Sequence, residues 1–191
     1  MKRMIRKSFV RDDEAATMVE FSLVAPFLFL LTFGIAEFAA IFFQFQTLHM
    51  ATAMAARMAS TRGPVITGIP DCGVGTSGAP GTFCSQVSGS KTWAPVTCAG
   101  NSMAANCDAT LLARILQEMR LVYPQMQAAN FSVTYGPSGL GFVGLGKPVP
   151  TVTITVSGIN ANFIALGAVG FRSVTLPPFT TSVVAEDLRG A

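Results

Sequence analysis

Of 191 residues only one, His49, is a histidine, and only 12% are charged. No serine or cysteine nucleophile arrangement accompanies His49, which argues against triad chemistry. No Cys-x-x-Cys pair occurs and the intervals between successive cysteines are long, a poor framework for zinc. The net charge of +3 is too small and too scattered to favour a nucleic-acid partner. The scarcity of charge does not signal disorder, because half of the residues are hydrophobic. With no acid–base pair, metal cluster or nucleophile in view, the expectation is a chain that is not an enzyme and carries no cofactor.

The absence with the largest consequence is that of any charge from Phe21 to Ala36, between Glu20 and Glu37. This run is dense in Phe and Leu, and the apolar character continues through Phe38, Ile41, Phe42 and Phe43. At ~1.5 Å of rise per residue the run alone falls slightly short of a ~30 Å bilayer interior, whereas a helix from Ala16 to Phe43 exceeds it. A domain this small has too little surface to cover such a helix on all sides, so the segment reads as a membrane span with lipid as its partner. Lys2, Arg3, Arg6, Lys7 and Arg11 precede the span and place the N-terminal side in the cytoplasm. Asp12, Asp13 and Glu14 directly before the span, and the want of a clean small-x-small site at its end, argue against a cleavable secretory signal.

From Gln44 the pattern turns amphipathic: Leu48, Ala51, Ala55, Met58 and Arg62 recur at three- and four-residue spacing until Gly63-Pro64 stops the helix. One helix from about Ala15 to Thr61, on the order of 70 Å long, is predicted. Pro26 removes the bond to the Ser22 carbonyl and is predicted to kink or locally open it.

The stretch Ala16-Thr17-Met18-Val19-Glu20-Phe21-Ser22-Leu23-Val24-Ala25-Pro26, followed by Phe33-Gly34-Ile35-Ala36-Glu37-Phe38, resembles the TadE-like proteins, minor pseudopilins of the bacterial tight-adherence (Flp-type) pilus machinery. The small-residue segment Ala51 to Arg62, with Arg57, is similar to the end of the family's helix. The likeness covers about the first third of the chain. It implies cleavage by a membrane prepilin peptidase between Ala15 and Ala16, although the family usually has Gly where Ala15 stands. It also implies that Glu20 pairs with the freed amine of a neighbouring pilin or pseudopilin subunit, the alternative being a carboxylate that snorkels at the membrane edge. Glu37 has two readings, an outer-interface residue or a partner-pairing carboxylate within the membrane. Further partners implied are the inner-membrane pilus assembly platform and, for the subunit itself, a place at the inner membrane or with the pilus.

Pro64 to Gly100 is rich in Gly, Ser, Thr and Pro and reads as irregular loops. Cys72, Cys84, Cys98 and Cys107 all lie beyond the span, which suits two disulfides in an oxidising compartment. Sequential pairing (Cys72 with Cys84, Cys98 with Cys107) and nested pairing are both open. A second helix follows, capped by Asn106 or Asp108, with Leu111, Leu112, Ile115, Met119 and Val122 on one face and Pro124 beyond its end. Strands are predicted at Phe131–Tyr135, Val149–Ser157 and Thr180–Glu186, with a further short one at Val174–Leu176 and a turn of helix at Ala161–Leu166.

Three motifs imitate nucleotide sites. Gly73-x-Gly75-x-x-Gly78 and Gly139-x-Gly141-x-x-Gly144 match a dinucleotide fingerprint, but neither opens a helix after a buried strand. Gly141 to Lys147 reads G-x-x-x-x-G-K, yet Pro148 stands where a phosphate loop needs a hydroxyl, and the stretch reads as a mobile loop between strands. Asn130-Phe131-Ser132 reads as an ordinary strand start.

The expected architecture is α+β. A cytoplasmic leader (1–15) precedes a transmembrane helix (16–43) and its amphipathic continuation (44–62). A cysteine-containing loop region (63–107) then leads to a periplasmic domain (108–191) with a small antiparallel sheet packed on the long helix. The function that fits is a single-pass subunit of pilus assembly; the alternative is a membrane-tethered binding module unrelated to pili. If the resemblance extends to processing, the mature chain begins at Ala16. N-terminal sequencing of the protein from cells that carry the peptidase checks this, and a chain that retains Lys2 contradicts it.

Overall fold

The computed structural model describes residues 13–69, 72, 79–86, 94–144 and 148–185. Residues 1–12 of the leader, Gly73, Gly75, Gly78, Lys147 and Glu186 lie outside the described residues. Helix α1 runs from Asp13 to Thr61 and passes through Pro26 without interruption. Helix α2 spans Ala109–Val122. The strands are β1 (Val96–Ala99), β2 (Phe131–Leu140), β3 (Val149–Val156), β4 (Asn160–Asn162), β5 (Ser173–Thr175) and β6 (Phe179–Val184). The class is therefore α+β, with a four-stranded antiparallel sheet in the order β1-β2-β3-β6 and a two-stranded β4-β5 pair.

The chain forms two compact units. One joins α1 up to Phe43 with Ala161–Val174; the other holds Gln44–Asn160 and the chain from Thr175 onward.

The core of the larger unit follows from period-two patterning. In β3, Val152, Ile154 and Val156 are buried, while Thr151, Thr153 and Thr155 are half-buried. The register sets them opposite Tyr135, Val133 and Phe131 of β2. The other face carries hydroxyls that bond across strands, Thr97 with Thr134 and Thr153 with Ser182, both at 2.8 Å. Helix α2 adds Leu112, Ile115 and Met119 to the core. Of the two possible caps, Asp108 is the one: its Oδ1 accepts from the backbone N–H of Thr110 and Leu111 at 2.8 and 3.1 Å.

On α1 the buried face of this unit is built from small residues, with Ala51, Ala55, Ala56 and Ala59 fully buried and Thr52 nearly so. Small side chains let a large sheet residue reach the helix backbone. The buried Tyr135 hydroxyl donates to the Ala59 carbonyl at 2.9 Å and accepts from the Val65 N–H at 3.2 Å, tying the helix end and the chain that leaves it to the sheet centre. Phe45 packs edge-on against Phe179 of β6, and Gln44 donates to the Tyr123 hydroxyl at 2.7 Å.

Several local expectations are corrected. The loop region contains a strand, β1, because Val96–Ala99 pairs with β2 and sets Cys98 opposite Val133 in the core. Strand β2 does not stop at Tyr135 but continues to Leu140. Pro137 lies opposite Pro150, where neither residue can donate to the ladder, and a register shift follows before Leu140. The predicted helical turn at Ala161–Leu166 is instead β4 followed by a 3-10 turn at Leu166–Val169. Gly141 to Gly144, read as part of a mobile loop, is held by backbone pairing with the segment around Cys84: Cys84 donates to Gly141 at 2.9 Å and Val143 to Thr82 at 2.8 Å. The disulfides are sequential, Cys72–Cys84 and Cys98–Cys107. Gly141 has φ +115°, and a Cβ there would lie 3.2 Å from the Cys84 Sγ, so glycine is needed beside that bridge.

Burial raises the Tyr135 pKa from 10.0 to about 12, with the Val65 hydrogen bond opposing the shift. A group whose folded pKa is raised stabilises the fold fully below pH 10 and loses that contribution as pH rises through about 12. Absorption titration of the folded protein should therefore show one phenol ionising near pH 12, a step missing in Tyr135→Phe. The same substitution leaves a buried carbonyl and N–H unpaired and should lower stability by about 1–3 kcal/mol in chemical denaturation.

Candidate functional site

The surface that distinguishes this chain is the first part of α1. Its large side chains face outward, among them Phe21 (72% exposed), Phe27, Leu31, Phe33, Phe42 and Phe43. Among the described residues, Ala16–Thr61 is the stretch of helix long and apolar enough to cross a membrane, and only 6% of its most apolar window is buried. A helix at the centre of a soluble core would be covered; this one supplies a membrane anchor by length and composition.

Two carboxylates bracket the outward-facing run. Glu20 is exposed, and nothing among the described residues pairs with it. Glu37 lies seventeen residues further on, about 26 Å along the helix at ~1.5 Å per residue. The fold does not bring the two together.

Glu37 is engaged within its own chain. Its Oε1 accepts from the backbone N–H of Ile164 at 2.6 Å and of Ala165 at 2.5 Å, and its Oε2 accepts from Leu166 at 3.0 Å. These are the free donors at the start of the 3-10 turn Leu166–Val169, so the carboxylate caps the turn from outside. Gly34, one turn earlier on the same helix face, is buried, and a Cβ there would stand 3.5 Å from Leu166 Cδ2. Phe38 packs on Phe163 with ring centroids 5.7 Å apart. Gly34, Glu37 and Phe38 thus form one seat for the loop Phe163–Leu166. Sequence reasoning weighed an interface role and an outside partner for Glu37 and missed this seat. The signal was present in the i, i+3 spacing of Gly34 and Glu37, but nothing in the loop's own sequence marks it as the occupant.

Residues 15–57 match a family model described as TadE-like protein. Over this segment the chain is similar to that family. The match ends within the buried small-residue face of α1, so it covers the anchor and the start of the helix's packing surface but neither disulfide nor sheet. Neither a curated protein nor a solved structure matches the chain.

The remaining candidate residues fall into three groups. Ala15 and Ala16 lie within helix α1, Ala16 exposed, in the first residues of the TadE-like segment. His49 is exposed on the later part of α1, and no group of three metal-binding side chains occurs among the described residues. Cys72 and Cys84 are buried with Val143, and Cys98 is buried in the sheet. All four cysteines serve the larger unit as bridges.

The Glu37 seat makes a testable demand. Glu37→Ala removes the acceptor that three backbone N–H groups share. Amide exchange at Ile164, Ala165 and Leu166 in detergent micelles should speed up severalfold. Glu37→Gln keeps one acceptor oxygen and should fall between that variant and the wild type. Gly34→Ala should be tolerated, whereas Gly34→Leu should mimic Glu37→Ala by displacing Leu166.

Proposed function

We propose that the protein is a membrane-anchored, pseudopilin-like subunit of tight-adherence (Flp, type IV-like) pilus assembly. The observation that carries this reading is the TadE-like match over 15–57, which falls on a helix whose apolar side chains and Glu20 are left outward. In this reading the helix crosses the inner membrane once, with its N-terminal side in the cytoplasm and the disulfide-bridged domain in the periplasm, the compartment in which such bridges persist. The exposed helix packs among pilin or pseudopilin helices or against the assembly platform. Prepilin peptidase acts between Ala15 and Ala16. The part the protein plays is structural, with no catalytic step and no nucleic-acid partner.

Glu20 is the residue on which assembly and simple anchoring differ. A carboxylate at the membrane edge of a lone anchor is relieved by snorkelling, so Glu20→Ala would change little there. In an assembly subunit it neutralises a neighbouring amine in a low-dielectric bundle, where removing one partner of a buried pair costs on the order of 3–5 kcal/mol, and less at a wetter edge. Glu20→Ala should therefore leave membrane fractionation intact while pilus number and co-purification of pilus subunits fall. Normal piliation by Glu20→Ala, in a strain where deletion of the gene abolishes pili, would remove the pairing role.

A further inference from the structure

The loop seated on Glu37 combines an apolar outer surface with a backbone most of whose donors are engaged. Ile164 is 89% exposed, Phe171 63% and Val169 51%, and Arg172 beside them is exposed as well. Exposed apolar side chains on a loop in water gain nothing, and exposed backbone in lipid is penalised unless its polar groups are satisfied. Here six backbone amides of the loop have acceptors within the chain. The amides of Ile164, Ala165 and Leu166 go to the Glu37 carboxylate, that of Phe163 to the Arg172 carbonyl at 3.1 Å, and those of Gly170 and Phe171 to Gly167 and Leu166 at 3.1 Å each. Gly170 closes the turn at φ +106°. Its place on the helix points the same way. The loop sits at the level of Gly34 to Phe38, and Phe42 and Phe43, further along α1, are still exposed and apolar.

We propose that Phe163–Phe171 is a second membrane element, a loop inserted at the headgroup–acyl boundary beside the helix that carries it, with a phospholipid bilayer as its partner. The proposal rests on the membrane reading of α1. Ile164, Val169 and Phe171 enter the acyl region, Arg172 reaches back to the phosphates, and the Glu37 clamp is what lets irregular backbone lie at that depth. The glutamate of the Phe-Gly-Ile-x-Glu stretch thereby acts inside its own chain, as the acceptor that prepares the loop for lipid.

The test is tryptophan quenching by acyl-brominated lipid, with the full-length chain in phosphatidylethanolamine–phosphatidylglycerol vesicles and the native Trp93 replaced by Phe. Single reporters are Ile164→Trp and Phe171→Trp, with Phe29→Trp in the span and Thr97→Trp on an exposed strand as references. The expected result is quenching at 164 and 171 severalfold above that at 97 and approaching that at 29. Quenching at 29 but not at 164 or 171 overturns the loop's insertion and leaves the anchor standing. No quenching at 29 removes the membrane reading and this inference together. Adding Glu37→Ala to the Phe171→Trp reporter should cut its quenching severalfold; unchanged quenching would overturn the role given to the clamp.

Discussion

Helix α1 has to serve two surroundings along one unbroken run of backbone, and the rest of the molecule is arranged around that requirement. Between Met18 and Phe43 most of its large apolar side chains face outward. From Leu48 onward one face is reduced to Ala, Thr and Ser, which are buried. Large residues in the first stretch maximise favourable transfer into lipid; small residues in the second let a sheet approach the backbone closely. The compact units divide a little before this change in side-chain size, between Phe43 and Gln44.

In each unit a polar side chain binds the helix backbone or side chain to a distant part of the chain. In the larger unit it is Tyr135, whose hydroxyl serves a carbonyl of the helix's last turns and an N–H just past its end, closing a junction where backbone groups would otherwise lack partners. In the smaller unit it is Glu37, with two oxygens and three amides. The two devices differ in charge. The phenol remains neutral in its buried setting, whereas the carboxylate offers the stronger, charge-assisted acceptor that several converging N–H groups call for.

The disulfides belong to neither device. Cys98–Cys107 fastens the edge strand β1 to the segment that precedes α2, and Cys72–Cys84 lies under the Gly141–Gly144 turn with Val143. Both loops are short in sequence. They hold irregular chain against a sheet whose own apolar face is already continuous. A TadE-like anchor is thus joined to a bridged domain whose sheet lies beyond the family match.

The sequence by itself determined the elements whose physics is local. The uncharged run between Glu20 and Glu37 is read by its length and uniform apolar character, while the alternation of Val152, Ile154 and Val156 with threonines and the apolar face of α2 each carry a period that only one backbone geometry satisfies. The TadE-like likeness was legible for the same reason, since it resides in contiguous residues of one helix. What tertiary structure alone decided were pairings between residues far apart in the chain. The choice of sequential over nested disulfides, the recruitment of Val96–Ala99 as an edge strand, and the continuation of β2 past Pro137 all depend on which strand lies alongside. Glu37 is the clearest case. Its partners lie 127 to 129 residues away and are backbone amides, which every non-proline residue possesses. No side-chain pattern can announce such a partner, so only the folded chain shows where that carboxylate is used.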